Sequence, residues 1–343
     1  MKSSDFRALT ESPLNGAPSY AALVRAHETP VENFFVRNHG EAPSAANWEL
    51  RVTGLVRNPL TLSVFPIPTL AFARSTIEAS LQCAGNRRSA LQKVQPIPDE
   101  VPWDNTAIGN AVWEGVRLGD ILRHAGLADG AEYVWFNGGD VLSGKHTGES
   151  FGASIPIAKA LHPATLIADH MNGAPLTTEH GAPVRAIVPG FIGARSVKWL
   201  REIRVEREPT PNHFQRAYSV KDRVLEEFPV SSAFGEPTDG ATVPAGTVRL
   251  KGWSITGGTR VVARVDVSAD GGRTWATARF QSRPQPFVWQ LWEADCVLAA
   301  GTHELVCRAV DNAGTSQPDA AVATWNVTGY VNNCWDRITV HAV

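Results

Sequence analysis

The composition of the chain changes after about residue 206, and this change constrains the fold most strongly. From Thr247 onward, short segments typical of strands alternate with turns. Residues 261–268, the turn Ala-Asp-Gly-Gly and residues 274–280 predict a β-hairpin. Further strands at sandwich-like spacing are predicted over residues 288–292, 304–310 and 323–327. The pattern predicts an immunoglobulin-like β-sandwich over residues 225–343.

Residues 1–224 show a different pattern, which mixes short strands with helices. Strands are predicted over residues 48–52, 133–136, 184–188 and 203–205. Leu118, Ile121, Leu122 and Ala125 fall on one helical face, and Gly126 is typical of a helix C-cap. Residues 207–240 contain four prolines and are predicted to be irregular. Many turns and few long helices predict an α+β domain, not a doubly wound sheet.

The charge and hydropathy of the chain exclude several classes of protein. The formal net charge is -2, without the basic excess typical of nucleic-acid binders. No apolar stretch reaches ~18 residues, so no transmembrane helix is expected. The N-terminus lacks an apolar signal region, and we expect a cytoplasmic protein. Residues 139–145 resemble a phosphate-binding loop, but His146 stands where that motif needs Ser or Thr, which excludes it.

The four cysteines form no CxxC pair, so a zinc ribbon is not expected. Cys296 and Cys307 could face each other across a hairpin, but free thiols are the favoured interpretation. Cys83 is different because two cations follow it in the segment Ser-Leu-Gln-Cys-Ala-Gly-Asn-Arg-Arg. Nearby cations favour the thiolate, which ligates soft or high-valent metals. From the residues alone, Cys83 is a metal ligand or a nucleophile beside an anion site, or else a buried structural cysteine.

This segment resembles the cysteine motif of the sulfite oxidase family of molybdenum enzymes, in which the cysteine binds molybdenum. Four other segments match that family in order, at residues 34–39, 103–113, 180–185 and 188–199. The C-terminal part resembles the dimerisation domain of the family. The resemblance implies the sulfite oxidase fold, with a mixed α/β molybdopterin-binding domain over residues 1–224 and a dimerisation domain over residues 225–343. Because the motifs begin near residue 34, we expect no haem domain, as in the haem-free plant and bacterial members.

The resemblance also implies roles for individual residues. Cys83 is the expected molybdenum ligand, and the expected cofactor-binding residues are Phe35, Val36, Arg37, Asn38, His39, Asp140, His180, Arg185, Ser196, Val197 and Lys198. Hydroxyl, backbone N–H and ammonium donors of this kind suit a dianionic phosphate. Arg37 and Arg88 are expected to hold the substrate oxyanion, and Trp103 to pack at the same pocket.

Two positions depart from the family pattern. Phe151 stands where the pocket tyrosine is expected, so a hydroxyl is predicted to be missing. Thr328 stands where a pocket arginine is expected, as in the nitrate-reducing relatives, which also lack it. Both changes weaken the expected binding of sulfite.

The leading prediction is a homodimeric enzyme that oxidises sulfite to sulfate with molybdenum and molybdopterin and passes electrons to oxygen or to a separate cytochrome. An alternative on the same cofactor is reduction of an oxyanion or of an S- or N-oxide. A third hypothesis is a cofactor-free binding protein built on the sandwich, and the intact cysteine motif argues against it. Neither nucleic acid nor a membrane is an expected partner.

Overall fold

A computed structural model describes residues 2–63, 72–143 and 146–343. Gly144 and Lys145 of the excluded phosphate-loop motif lie outside these residues. Strands predominate, and the longest helix has eight residues. No helix in the described ranges has the length and apolar character that crossing a membrane requires.

Two five-stranded sheets, one antiparallel and one mixed, form the centre of the N-terminal part. Its strands are β1 (Phe6–Glu11), β2 (Leu14–Pro18), β3 (Glu49–Gly54), β4 (Leu60–Ser63), β5 (Arg74–Gln82), β6 (Ile108–Arg117), β7 (Tyr133–Gly138), β8 (Gly152–Pro156), β9 (Leu166–Met171), β10 (Ala174–Pro175), β11 (Arg185–Ile187), β12 (Leu200–Glu206), β13 (Ser219–Val220) and β14 (Arg223–Val224). One sheet has the order β10-β9-β6-β5, with β11 also paired to β9. The other has the order β4-β3-β12-β7-β8, and only β3 and β12 are parallel in it.

The helices are short and connect strands. They are α1 (Tyr20–Leu23), α2 (Arg88–Gln92), α3 (Leu118–Ala125), α4 (Ile157–Ala160), α5 (His213–Ala217) and α6 (Ala321–Thr324). The amphipathic pattern predicted α3 correctly, because its apolar face is fully buried and Gly126 ends it with a φ of 72°. Two 3-10 turns, Thr178–His180 and Gly193–Arg195, flank β11.

The C-terminal part consists of a four-stranded and a five-stranded sheet that enclose one apolar core. Its strands are β15 (Ser231–Glu236), β16 (Ala241–Val243), β17 (Gly246–Ile255), β18 (Val262–Ser268), β19 (Ala276–Thr277), β20 (Arg279–Phe280), β21 (Gln290–Leu298), β22 (Gly301–Asp311) and β23 (Asp336–Ala342). The sheets have the orders β15-β17-β21-β20 and β16-β23-β22-β18-β19. All four cysteines are unpaired, and Cys296 and Cys307 lie on strands of different sheets.

Three details of the predicted sandwich are wrong. The segment 274–280 is not one strand, because the chain crosses at buried Ala278 from β19 in one sheet to β20 in the other. Residues 323–327 form no strand, because Asn326 Oδ1 accepts hydrogen bonds from the hydroxyl of Thr328 and the N–H of Tyr330 and so makes a turn. Strand β15 was not expected, since its small residues show no alternation and are buried on both faces.

The two parts share an apolar cluster that includes Ala84 and Tyr218 from the first and Trp253 and Tyr330 from the second. The indole Nε1 of Trp253 donates to the carbonyl of Asn105 at 3.1 Å across this boundary. The second part therefore packs directly against the segment that follows β5.

Candidate active site

One cavity collects most of the residues that the sequence singled out. It is lined by Phe34, Phe35, Arg37, Asn38, His39, Leu81, Cys83, Ala84, Asp140, Phe151, Glu179, His180, Arg185, Gly193, Ala194, Ser196, Val197, Lys198, Trp199 and Tyr218. The predicted residues that it does not include are Val36, Arg88 and Trp103. Six other stretches of chain thus meet the one that carries Cys83, which is the arrangement expected of a ligand site.

Cys83 lies at the end of β5, where its N–H donates to the carbonyl of Ala107 at 2.9 Å. The thiol is buried, and burial raises its pKa. The charges of Arg37 and Arg88 and the N–H of Gly85 act in the opposite direction and favour the thiolate. A thiolate here therefore needs further positive charge, which a bound metal ion supplies.

Three cations, Arg37, Arg185 and Lys198, line the cavity, and no carboxylate lies within ion-pair distance of them in the described parts of the chain. Arg185 donates from Nη1 to the carbonyl of His180 at 2.9 Å and from Nη2 to that of Ser196 at 3.0 Å, whereas its buried Nε has no partner. Lys198 Nζ donates to Asn38 Oδ1 and to the carbonyl of Glu179.

Burial lowers the pKa of Arg185 to about 9 and that of Lys198 well below its usual range. Buried cations without counterions are costly. A bound anion would offset that cost, and a phosphate-bearing cofactor therefore fits this wall of the cavity. His180, on the same wall, is kept neutral because burial and the charge of Lys2 lower its pKa.

His39 and Tyr218, which also line the cavity, form a hydrogen-bonded pair with 2.8 Å between Nε2 and the phenol oxygen. Arg37 Nη2 lies 3.3 Å from His39 Nδ1, and a guanidinium can only donate. Nδ1 is therefore the acceptor, and Nε2–H donates to Tyr218. The hydroxyl proton of Tyr218 remains available for an acceptor inside the cavity.

Phe151 lines this cavity without a hydroxyl, as the sequence predicts, and Tyr218 places another hydroxyl in the same cavity. Phe151 stacks on His39 with 5.4 Å between ring centroids and packs against Phe214, while Tyr218 supplies the hydroxyl. Sequence reasoning missed Tyr218, which follows the short helix α5. Because the chain has four tyrosines, considering each of them as a hydroxyl donor could have identified Tyr218.

Asp140 lines the cavity as expected, and its Oδ1 accepts the N–H of Phe151 at 3.0 Å. Ser196 accepts the N–H of Val188 on its hydroxyl. Phe35 and Val197 contribute apolar surface, and Phe34, which was not assigned a role, stacks on Phe35.

The three predicted residues outside the cavity have other partners. Val36 pairs its backbone with Gly16 in an isolated bridge and buries its side chain. Trp103 belongs to the apolar cluster that contains Cys83, but its indole lines a separate cavity beside Tyr20.

Arg88 is buried, and its guanidinium is held by protein groups. Its Nη1 donates to the carbonyl of Val101 at 2.7 Å, its Nε donates to the carbonyl of Thr328 at 3.1 Å, and its Nη2 lies 3.2 Å from Glu100 Oε2. The structure thus places this charge within electrostatic range of Cys83 and pairs it with a carboxylate.

Comparison with known proteins agrees with this architecture. An oxidoreductase molybdopterin binding domain matches residues 39–214, and a Mo-co oxidoreductase dimerisation domain matches residues 222–343. The chain is 41% identical over 357 residues to sulfite oxidase from Gallus gallus, covering 96% of this chain and 77% of that protein. It is 36% identical over 365 residues to sulfite oxidase from Arabidopsis thaliana, covering 96% and 92%.

Among solved structures, the sulfane dehydrogenase SoxCD from Paracoccus pantotrophus superimposes with a TM-score of 0.83 at 26% identity, covering 97% of this chain and 87% of that one. The chain spans 65% of the length of the sulfite oxidase from Homo sapiens that it matches. Family models that together match most of the chain, and relatives above 30% identity over nearly all of it, establish the relationship. The chain belongs to the sulfite oxidase family of molybdopterin oxidoreductases.

Proposed function

We propose that this protein oxidises sulfite to sulfate, a reaction in which sulfite and water give sulfate, two protons and two electrons. One observation carries the proposal. The Cys83 thiol opens into the same cavity as Arg37 and Tyr218, which are a cation and a neutral hydroxyl donor. A metal-ligating sulfur beside anion-binding donors is the chemistry that a small sulfur oxyanion needs.

The cofactor that the family implies is molybdenum bound to molybdopterin. In this proposal Cys83 is the protein ligand of the metal, and Arg185, Lys198, Ser196 and His180 hold the cofactor. When bound, the cofactor supplies the two-electron redox chemistry. No group of three or more His, Cys, Asp or Glu side chains that could hold a metal occurs in residues 2–63, 72–143 and 146–343, so other ligands would come from the cofactor.

The protein side chains bind and orient the substrate. Arg37 offers a charge-assisted donor to an oxyanion, and its second role is to fix the tautomer of His39. Burial raises the pKa of Tyr218 to about 12, so its hydroxyl stays protonated at neutral pH and can donate to a substrate oxygen. Arg88 contributes long-range positive charge rather than a free donor, because Glu100 and two backbone carbonyls engage it.

Reduction of an oxyanion such as nitrate remains the second candidate, and Thr328 favours it. A neutral residue at this position leaves fewer charges to bind sulfite. The relation of Thr328 to the cavity is indirect, since its carbonyl accepts from Arg88 while its hydroxyl bonds Asn326.

Turnover of the purified, molybdenum-loaded protein separates these functions. Sulfite with an artificial one-electron acceptor, and nitrate with a reduced viologen donor, are compared at matched protein concentration. We expect sulfite oxidation to be at least about tenfold faster. Nitrate reduction without sulfite oxidation would overturn the proposal. Turnover of a sulfane sulfur substrate but not of sulfite would show that the substrate is a different sulfur compound.

The finer architecture is also a proposal. We infer a boundary after residue 224, supported by the gap between the matched domains at residues 214 and 222. An immunoglobulin-like sandwich over residues 225–343 is supported by the two sheets that share one core. The dimerisation domain supports a homodimer, and oxygen or a separate cytochrome is the proposed electron acceptor.

A further inference from the structure

The loop that carries Cys83, residues 83–88 (the cysteine loop), is bonded by both domains, and the first domain contributes bonds from the segment before β6. The N–H of Arg87 donates to the carbonyl of Asp104, and Asn86 Oδ1 accepts the N–H of Ala107 at 3.0 Å. Within the loop, the N–H of Asn86 donates to the carbonyl of Cys83. The carbonyl of Arg87 also accepts the N–H of Ala90 at 3.3 Å, whereas the described residues of the first domain offer no backbone donor to the carbonyl of Ala84.

Residues 328–336 of the second domain (the clasp) contribute further bonds. The N–H of Val331 donates to the carbonyl of Ala84 at 2.7 Å. Asn332 Nδ2 donates to the carbonyl of Arg87 at 2.9 Å. The clasp thus satisfies the carbonyl of Ala84 and gives the carbonyl of Arg87 a second, shorter hydrogen bond.

Side chains of the loop also reach into the clasp. The buried guanidinium of Arg87 donates to the carbonyl of Cys334 at 2.7 Å and pairs with Asp336 at 3.0 Å. Arg88 donates to the carbonyl of Thr328, and a Cβ at Gly329 would lie 2.7 Å from Arg88 Cγ. The clasp therefore fits closely around both arginines.

The backbone of Arg87 is left-handed, with a φ of 66°. A non-glycine residue in this region costs free energy and persists only where surrounding contacts enforce it. The clasp bonds to the carbonyl and guanidinium of Arg87 are such contacts, and they act four residues from Cys83.

Asn332 is the central residue of the clasp. It is 1% exposed, and its Oδ1 accepts the hydroxyl of Thr324 at 2.9 Å and the N–H of Cys334 at 3.2 Å. Because an N–H can only donate and a carbonyl can only accept, these partners fix the orientation of the amide. The side chain therefore presents its NH₂ group to the cysteine loop and to no other backbone group.

We propose that Asn332 is a positioning residue, through which the second domain sets the conformation of the cysteine loop and hence the placement of Cys83 and Arg88 at the active site. The inference rests on the proposed function for the role of Cys83, whereas the coupling of clasp and loop stands apart from the substrate. The second domain is then part of the catalytic apparatus, in addition to any role in dimerisation.

Asn332→Asp tests the proposal, since it keeps the shape and replaces the donor by a carboxylate oxygen facing the Arg87 carbonyl. Asn333→Asp is the matched control, because Asn333 Nδ2 donates to the carbonyl of Val230, outside the loop. Three quantities are measured on the full-length, molybdenum-loaded proteins: hydrogen exchange of the amides in residues 83–88, the sulfur shell around molybdenum by X-ray absorption, and kcat with KM for sulfite.

We expect Asn332→Asp to speed hydrogen exchange of the amides in the cysteine loop by about ten- to hundredfold. The set of sulfur ligands around molybdenum should change, and kcat should fall about tenfold or more. Asn333→Asp should leave all three unchanged. Equal loop exchange and equal sulfur shells in the two variants would overturn the proposal. A wild type that does not turn over sulfite would defeat the proposed function only, because exchange and absorption need no substrate.

The wild-type protein offers a second test if Asn332→Asp does not fold. The Val331 amide, which donates to Ala84, should exchange together with the amides of Asn86 and Arg87 as one cooperative unit. Exchange of the Val331 amide about tenfold faster than the loop amides would show that the clasp opens independently, and would refute the coupling.

Discussion

Tyr218 and His39 share a hydrogen bond of 2.8 Å in which Arg37 makes His39 the donor, so that the hydroxyl proton of Tyr218 is left for another acceptor. Tyr218→Phe removes this proton and leaves the ring packing intact. We expect kcat for sulfite to fall about ten- to hundredfold, since a donor to a desolvated anion is lost. Steady-state kinetics measures the effect.

The matched control is Tyr133→Phe, on β7 outside the cavity lining, which should be silent. Phe151→Tyr should also bring no gain in turnover, because Tyr218 already supplies the hydroxyl. A large gain from Phe151→Tyr with no loss from Tyr218→Phe would contradict the assignment.

The buried histidines His39 and His180 predict how stability depends on pH. Burial lowers both pKa values well below 6.5, so below that pH the unfolded chain binds more protons than the folded one. Their contribution is complete above pH 6.5 and is lost as the pH falls toward the folded-state values. We expect each to cost about 1 kcal/mol at pH 5.5 relative to pH 7.5.

Denaturant unfolding of the cofactor-free protein at the two pH values measures this loss. His180→Gln should reduce the pH dependence, whereas His341→Gln at an exposed position on β23 should not. If the free energy of unfolding of His180→Gln changes with pH as much as that of the wild type, His180 is not a source of the pH dependence.

Cys83→Ser tests the metal ligand. A neutral hydroxyl replaces a thiolate poorly, so we expect a folded protein whose turnover falls at least about a hundredfold. Replacement of Cys296, Cys307 and Cys334 together should change stability more than rate, because these residues lie on or beside the sandwich strands. An active Cys83→Ser enzyme would contradict the assignment of Cys83.

Thr328→Arg restores the positive charge that the family pattern places beside the substrate. One charged hydrogen bond to a desolvated anion is worth ~1.5–3 kcal/mol, so KM for sulfite should fall about ten- to hundredfold with little change in kcat. Thr328→Gln is the neutral control of similar length. A KM that responds equally to both variants would show that charge at this position does not bind the substrate.

The homodimer is tested by sedimentation of the full-length protein. The dimerisation domain leads us to expect a dimer at micromolar concentration. A monomer over the whole micromolar range would refute it.

The local pattern of the chain predicted much of this structure. Leu118, Ile121, Leu122 and Ala125 mark α3 because a helix repeats its buried face every three to four residues. Strand β15 and the crossing at Ala278 were missed, because their burial depends on neighbours distant in sequence. Motif resemblance identified Cys83, Arg37 and Phe151, which line the cavity, but it did not identify Tyr218, because a motif records order along the chain and not contacts.

Arg88 shows this limit most clearly. Its place in the motif predicted an oxyanion ligand, but Glu100 and the carbonyl of Thr328 hold it, and only the fold brings these groups together. Tyr218 is the converse case, a residue that no motif marked and that the path of the chain after α5 brings into the cavity. The cytoplasmic location stays a prediction from the sequence.

The segments that contact the cysteine loop are synthesised at different times, because the clasp follows Cys83 by about 250 residues in the sequence. An N-terminal fragment that ends before the clasp would keep the bonds from residues 104–107 but lack those that Val331 and Asn332 make to this loop. On the proposed role of the clasp, the cysteine loop therefore reaches its full set of hydrogen bonds only when nearly the whole polypeptide has been made.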